Sequence, residues 1–114
     1  MKANMDKFDE KVAGYKANMD KLGIKYDEDK FLACTKACGP SIYNNDAETV
    51  SGSDDSELDR VKTNYLIKKL GLSESDDLDA IIAYAIDKMG KSNRNKYRPI
   101  FYYLCSEKAG KFPE

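Results

Sequence analysis

The chain is predicted to fold as an all-α bundle of about five main helices, and three observations carry that prediction. Apolar residues recur at helical intervals, most cleanly in Met5, Phe8, Val12, Tyr15, Met19 and Leu22, spaced 3-4-3-4-3. Glycines fall where such stripes stop, which is where a helix needs a residue that tolerates a left-handed backbone. No stretch alternates apolar and polar residues for long enough to make a strand. At 114 residues, a single domain over 1–114 with one core is expected. Charged residues make up 34% of the chain, but a hydrophobic content of 41% is too high for a disordered one.

The first helix covers about 5–22. The six residues Lys2–Lys7 repeat as Lys16–Lys21, fourteen positions apart. Fourteen is two heptads, so both copies share a face. A coiled-coil seam for a homodimer or a protein partner is one use of helix 5–22. The other, preferred here, is a core helix of its own domain, because the stripe spans less than three heptads and Gly14 weakens its middle.

Leu22-Gly23-Ile24 reads as a helix stop with an apolar residue beyond the glycine. A second helix is expected over Glu28–Cys38, ended by Gly39-Pro40. Residues 40–53 read as a connection with at most one short turn at Ser41-Ile42-Tyr43, because Asn44-Asn45 and Ser51-Gly52-Ser53 are turn formers. A third helix starts near Asp54, with Glu57 as its capping-box partner. It points Leu58, Val61, Tyr65 and Leu66 inward and stops at Leu70-Gly71-Leu72. Ser73 and Asp76 open the fourth, whose stripe is Leu78, Ile81, Ile82, Ala85, Ile86 and Met89, with Gly90 at its end. The last holds Ile100, Phe101, Leu104 and Cys105 on one side, and Pro99 either lies in its first turn or marks a break after a turn at 93–97.

Several chemistries are excluded on residue type. There is no histidine, which removes Ser-His and Cys-His pairs, histidine metal sites and the commonest general base. The carboxylates sit on polar faces and at helix starts, and no pair is marked as catalytic, so no enzyme activity is expected and no catalytic residue is assigned. Cys34 and Cys38 share a helix face. Even with Cys105 they make three ligands where a structural zinc site takes four, so no metal or other cofactor is expected and the thiols read as small buried residues. Ala85–Ser92 matches a relaxed P-loop pattern, but it continues a helical stripe and no strand precedes it. The acidic stretch Asp46–Asp59 fails as an EF-hand, since Gly52 in the sixth position leaves Leu58 in the twelfth.

The net charge of −1 argues against a general nucleic-acid or membrane binder. Its distribution is uneven: residues 1–30 balance, residues 31–90 carry −5 and residues 91–114 carry +4. Acids at helix starts explain much of the negative part through the helix dipole. The positive part is concentrated in Lys91–Arg98, which has four cations and no acid. Should Ser92 or Asn93 cap the last helix, Lys91, Ser92, Arg94, Lys96 and Arg98 would converge on one anion, with Tyr97 placed to stack on a base. The alternative is a solvated loop whose cations pair with the acidic helix starts at 54–59 or 74–79.

Met1–Asn4 leads into charged residues, so no secretory signal is expected, and no run approaches the roughly 18 apolar residues of a membrane span. Three cysteines do not make a disulfide framework. A cytoplasmic setting follows.

With these elements in place, the sequence resembles a family of small bacterial proteins known as a domain of unknown function, DUF2853. The resemblance is carried by Gly39-Pro40-Ser41-Ile42-Tyr43, Val50-Ser51-Gly52-Ser53-Asp54 with Glu57-Leu58, and Leu66-Ile67-Lys68-Lys69-Leu70-Gly71-Leu72. It continues in Asn93-Arg94-Asn95-Lys96-Tyr97-Arg98 and Phe101-Tyr102-Tyr103-Leu104. It covers about residues 30–111, and helix 5–22 less closely; the cysteines and Pro99 are not part of it. It implies a compact, intracellular helical protein and brings no activity or ligand with it. The function expected is therefore a non-enzymatic module for macromolecular interaction or self-association. The alternative is anion or nucleic-acid binding through 91–98, with nucleic acid the less favoured partner.

Overall fold

The densest apolar run of the chain becomes its central helix. In a computed structural model describing residues 7–113, α1 spans Lys7–Leu22, α2 Glu28–Cys38, α3 Asn45–Glu48, α4 Asp55–Arg60, α5 Leu78–Met89 and α6 Arg98–Ala109. A 3-10 turn, Gly39–Tyr43, follows α2, and a π-helical segment, Val61–Ile67, prolongs α4 without a break. Met5 and the first copy of the repeat up to Asp6 lie outside the described residues. The only strand-like pairing among the described residues is one antiparallel bridge, Thr49 to Tyr97. The radius of gyration is 13.6 Å, close to the roughly 13 Å of a folded chain this long.

Eight consecutive residues of α6, Pro99 to Ser106, are buried. The sequence places only one side of this helix inward. The other side is buried too because α6 lies at the centre, against α2, α5, α1 and the π segment. A helix covered all round must bring its own hydrogen-bond partners. Tyr103 accepts from the Asp27 amide at 2.8 Å, and the Ser106 hydroxyl lies 2.6 Å from that of Tyr65. Pro99 sits in the first turn, where a missing N–H costs nothing.

The stripe of α1 is turned into this core, with Val12, Tyr15 and Met19 buried. Gly23 ends the helix at φ 74°, and Ile24 folds back to bond Met19 O at 2.9 Å. Helix α2 has the expected bounds, capped by Asp27, whose side chain accepts from the Lys30 amide. Gly39 closes it at φ 62°, ψ −143°, a region only glycine enters readily.

Three local expectations are corrected. The 40–53 connection holds two helical pieces, since Asn44 caps α3 by accepting from the Asp46 amide. Asp54 does cap α4, accepting from the Ser56 and Glu57 amides. Glu57 does not return the bond: the Asp54 amide goes to Ser51 O, and the Glu57 carboxylate goes to arginines. The cap of α5 is Asp77, while Ser73 and Asp76 form the turn before it. In the π segment, wider turns with bonds such as Leu70 N to Tyr65 O, 2.9 Å, carry Val61, Tyr65, Leu66 and Leu70 inward together. Leu58, one α-turn earlier, is left half-buried.

Candidate functional site

The basic connector is organised by its own backbone. Gly90 ends α5, its amide bonding Ile86 O at 2.9 Å. Asn93 then donates its side-chain amide to Met89 O at 3.0 Å and accepts from the Asn95 amide at 2.8 Å. The chain thereby curls, and Lys96 folds back into the curl. Its ammonium donates to Lys91 O at 3.1 Å and Asn93 O at 2.6 Å, and the residue is only 3% exposed. Burial pulls its pKa below the ordinary lysine value. The Lys96 carbonyl accepts from the Val50 amide at 2.8 Å, which ties the connector to the segment that begins at the Thr49 bridge.

Ser92 and Asn93 do not cap α6. The residue there is Tyr97, with no side-chain cap. The anion site as expected from sequence, with five residues converging on a capped helix start, is therefore not the arrangement found. Arg98 is turned away from it. Its guanidinium donates to Ala47 O at 2.7 Å, to the Tyr102 hydroxyl at 3.2 Å and to the Glu57 carboxylate. Burial works against its charge, but the bonds to Glu57 and Tyr102 outweigh burial and raise its pKa. This is the pairing with the 54–59 acids that the sequence offers as the alternative.

Lys91, Ser92, Arg94 and Lys96 do share a surface. They form one wall of a groove of about 800 Å³, whose other wall is Asp46, Thr49–Asp54 and Glu57, with Ile86 also lining it. Lys91 and Arg94 are exposed, and neither makes an ion pair among the described residues. The acids opposite are mostly engaged: Asp54 caps α4, and Glu57 holds Arg98 and Arg60. Ser51-Gly52-Ser53, read from sequence only as a turn, proves to lie directly over Lys96. A Cβ built on Gly52 would stand 3.2 Å from Lys96 Cε and 3.4 Å from its Nζ.

A second polar site went unread in the sequence. Glu48, at the end of α3, is buried and accepts from the Tyr15 hydroxyl at 2.6 Å and from the Lys11 ammonium at 2.9 Å. Burial first, then Glu48, pushes Tyr15 far above the usual phenol range. No local signal marks Glu48, which looks like any acid of a short polar helix.

The cysteines are separately employed. Cys34 lies 3.4 Å from the Tyr65 hydroxyl, Cys38 bonds Cys34 O, and Cys105 is buried in the core. Burial raises all three thiols, which disfavours the thiolate needed for nucleophilic or metal chemistry. Among the described residues no group of three or more His, Cys, Asp or Glu is placed to hold a metal ion. No helix among them is long and apolar enough to cross a membrane.

The fold and groove define an all-α single-domain bundle with a polar recess. The chain belongs to the family described as protein of unknown function (DUF2853), whose model matches residues 14–113. The match begins midway through α1. No curated protein matches the chain.

Proposed function

We propose that this is a non-enzymatic protein of a bacterial cytoplasm that binds a macromolecular partner through the groove between 46–57 and 91–96, by an anionic group of that partner. The observation that carries the reading is the state of the cations there. Lys91 and Arg94 stand exposed without acidic partners among the described residues, beside a lysine buried with no carboxylate against it. Buried charges are normally paired, as Arg98 is, and Lys96 meets only carbonyls.

Two further points support it. The apolar stripe of α1 is taken into the chain's own core at Val12, Tyr15 and Met19, which leaves a dimer seam on helix 5–22 little to bury. The acids Asp46, Asp54 and Glu57 in the facing wall oppose an extended polyanion, so nucleic acid ranks below a single charged group. The non-enzymatic part rests on the missing histidine and on thiols raised by burial.

The test is site-specific photo-cross-linking in the native cell, with the reactive residue replacing Arg94 or, as control, Lys21. Adducts confined to the groove position and lost in a Lys91→Glu background support the reading. Equal adducts at both positions, or none, sink it.

A further inference from the structure

We propose that the group the groove recognises is a compact phosphoryl dianion, seated on the Lys96 ammonium beneath Ser51-Gly52-Ser53, with Lys91 and Arg94 at its rim. The inference rests on the reading of the groove as the contact surface and states the chemistry of its ligand.

Lys96 is the centre of the argument. Its charge is buried, yet both groups that meet its ammonium are neutral carbonyls of its own loop, Lys91 O and Asn93 O. Carbonyl dipoles orient an ammonium without cancelling its charge, and an uncompensated buried charge is costly. An ammonium has three N–H groups, so one remains after these two bonds. Lys96 lines the groove, and this remaining N–H is the donor assigned to the ligand. The acids of the opposite wall do not neutralise it: Glu57 is drawn to Arg98 and Arg60, and the Asp54 side chain is bonded to two amides of α4. Asp46 stands exposed at the start of α3.

Gly52 keeps the approach to this charge open. Any side chain there would crowd Lys96, with its Cβ 3.4 Å from Nζ. The hydroxyls of Ser51 and Ser53 flank the glycine on exposed residues, with no hydrogen-bond partner among the described residues. Two hydroxyls, a buried ammonium and a guanidinium are the donors that a tetrahedral oxyanion takes. The recess, at about 800 Å³, is wider than one such anion, so the phosphoryl group comes attached to a larger body. The facing acids set the limit on that body: it carries one concentrated charge, not a row of them.

The experiment is a titration of the full chain followed by backbone amide NMR at constant ionic strength. Its arms are inorganic phosphate, a phosphoserine peptide, the same peptide unphosphorylated, a single-stranded oligonucleotide and chloride. Saturable shifts centred on Gly52, Ser53, Arg94 and Lys96 are expected with phosphate and absent with chloride and the unphosphorylated peptide. Tighter binding of the phosphopeptide than of phosphate assigns the group to a protein; binding of phosphate alone assigns it to a small molecule. The exposed-site variant with Lys91→Ala and Arg94→Ala should weaken phosphate about tenfold at unchanged fold, as removal of one or two charge-assisted bonds does. Gly52→Val should abolish it, with the rest of the spectrum retained.

Identical shifts with phosphate and chloride, no saturation up to about 10 mM phosphate, well past weak millimolar binding, or tightest binding of the oligonucleotide each overturn the proposal. Cross-links confined to the groove with a silent phosphate titration leave the partner reading standing and remove this one. A phosphate site without any cross-link does the reverse.

Discussion

The hydroxyl of Tyr15 donates to the carboxylate of Glu48 across 2.6 Å of buried space, joining α1 to a four-residue helix 33 positions away. Around that bond, the Tyr15 ring packs on Phe31 and Tyr97, and Lys11 supplies the carboxylate with a cation. The first helix is thus held by a polar contact as well as by its apolar stripe, and the contact adjoins the segment that forms one wall of the groove. Tyr15→Phe should lower stability by about 2 kcal/mol, since it leaves a buried carboxylate short of a donor. In a domain of this size that corresponds to a melting temperature roughly 10 °C lower. A thermal melt unchanged from wild type would remove the bond from any structural role.

Stability should fall at alkaline pH. Tyr15 and Tyr65 are both raised by burial, so the folded state resists ionising them while the unfolded chain ionises near pH 10. A raised pKa means that their contribution is complete below the unfolded value and is lost as pH climbs through the window above it. Urea midpoints should start to decline above about pH 8.5, where the unfolded chain ionises the three thiols that burial raises in the fold, and fall further beyond about 10 as the phenols follow. A midpoint that holds to pH 12 contradicts the burial of these phenols.

Arg98 and Glu57 are 12% and 15% exposed in their side chains, and Arg98 also carries Ala47 O and Tyr102. Arg98→Ala should cost about 3 kcal/mol, because it leaves the largely buried Glu57 carboxylate with only the exposed Arg60 as partner. Arg98→Lys should recover only part of this, since an ammonium cannot serve three acceptors spread as the guanidinium fork serves them. Equal denaturant midpoints for the two variants would show that charge alone matters there.

Gly39 ends α2 at φ 62°, ψ −143°, with nothing near its missing side chain. Gly39→Ala should therefore destabilise through backbone strain alone, by about 1–3 kcal/mol. Gly14, mid-helix with equally open surroundings, should do the opposite: Gly14→Ala should stabilise by up to about 1 kcal/mol. Chemical denaturation of the pair checks both signs at once.

With Val12, Tyr15 and Met19 buried in its own fold, the chain should sediment at micromolar concentration as a single species near 12.9 kDa. A dimer abolished by Phe8→Ser would instead put the outer edge of α1, where Phe8 is half-buried, to use between copies.

The helices themselves were legible because each is specified by neighbours along the chain. Local pattern gave Glu28–Cys38 its bounds and α5 its apolar stripe and its end at Met89, though not its start, and Gly23, Gly39, Gly71 and Gly90 all take the positive φ that a stop requires. The π segment was not legible. Its spacing differs from that of an α-helix by less than one residue per turn, and the packing it serves, such as Tyr65 stacked on Tyr102 at 3.9 Å, lies across the fold.

The site divides along the same line. The sequence by itself determined a histidine-free helical bundle and the cluster of cations at 91–98, since composition and local order need no knowledge of what lies across the fold. Only the tertiary structure decided which cations are left over. Arg98 meets Glu57 from 41 positions away, Lys96 is closed in by its own loop, and Lys91 and Arg94 remain at the rim. Electrostatic partnership depends on distance in space, and burial depends on every neighbouring element at once; neither quantity is written in the order of residues.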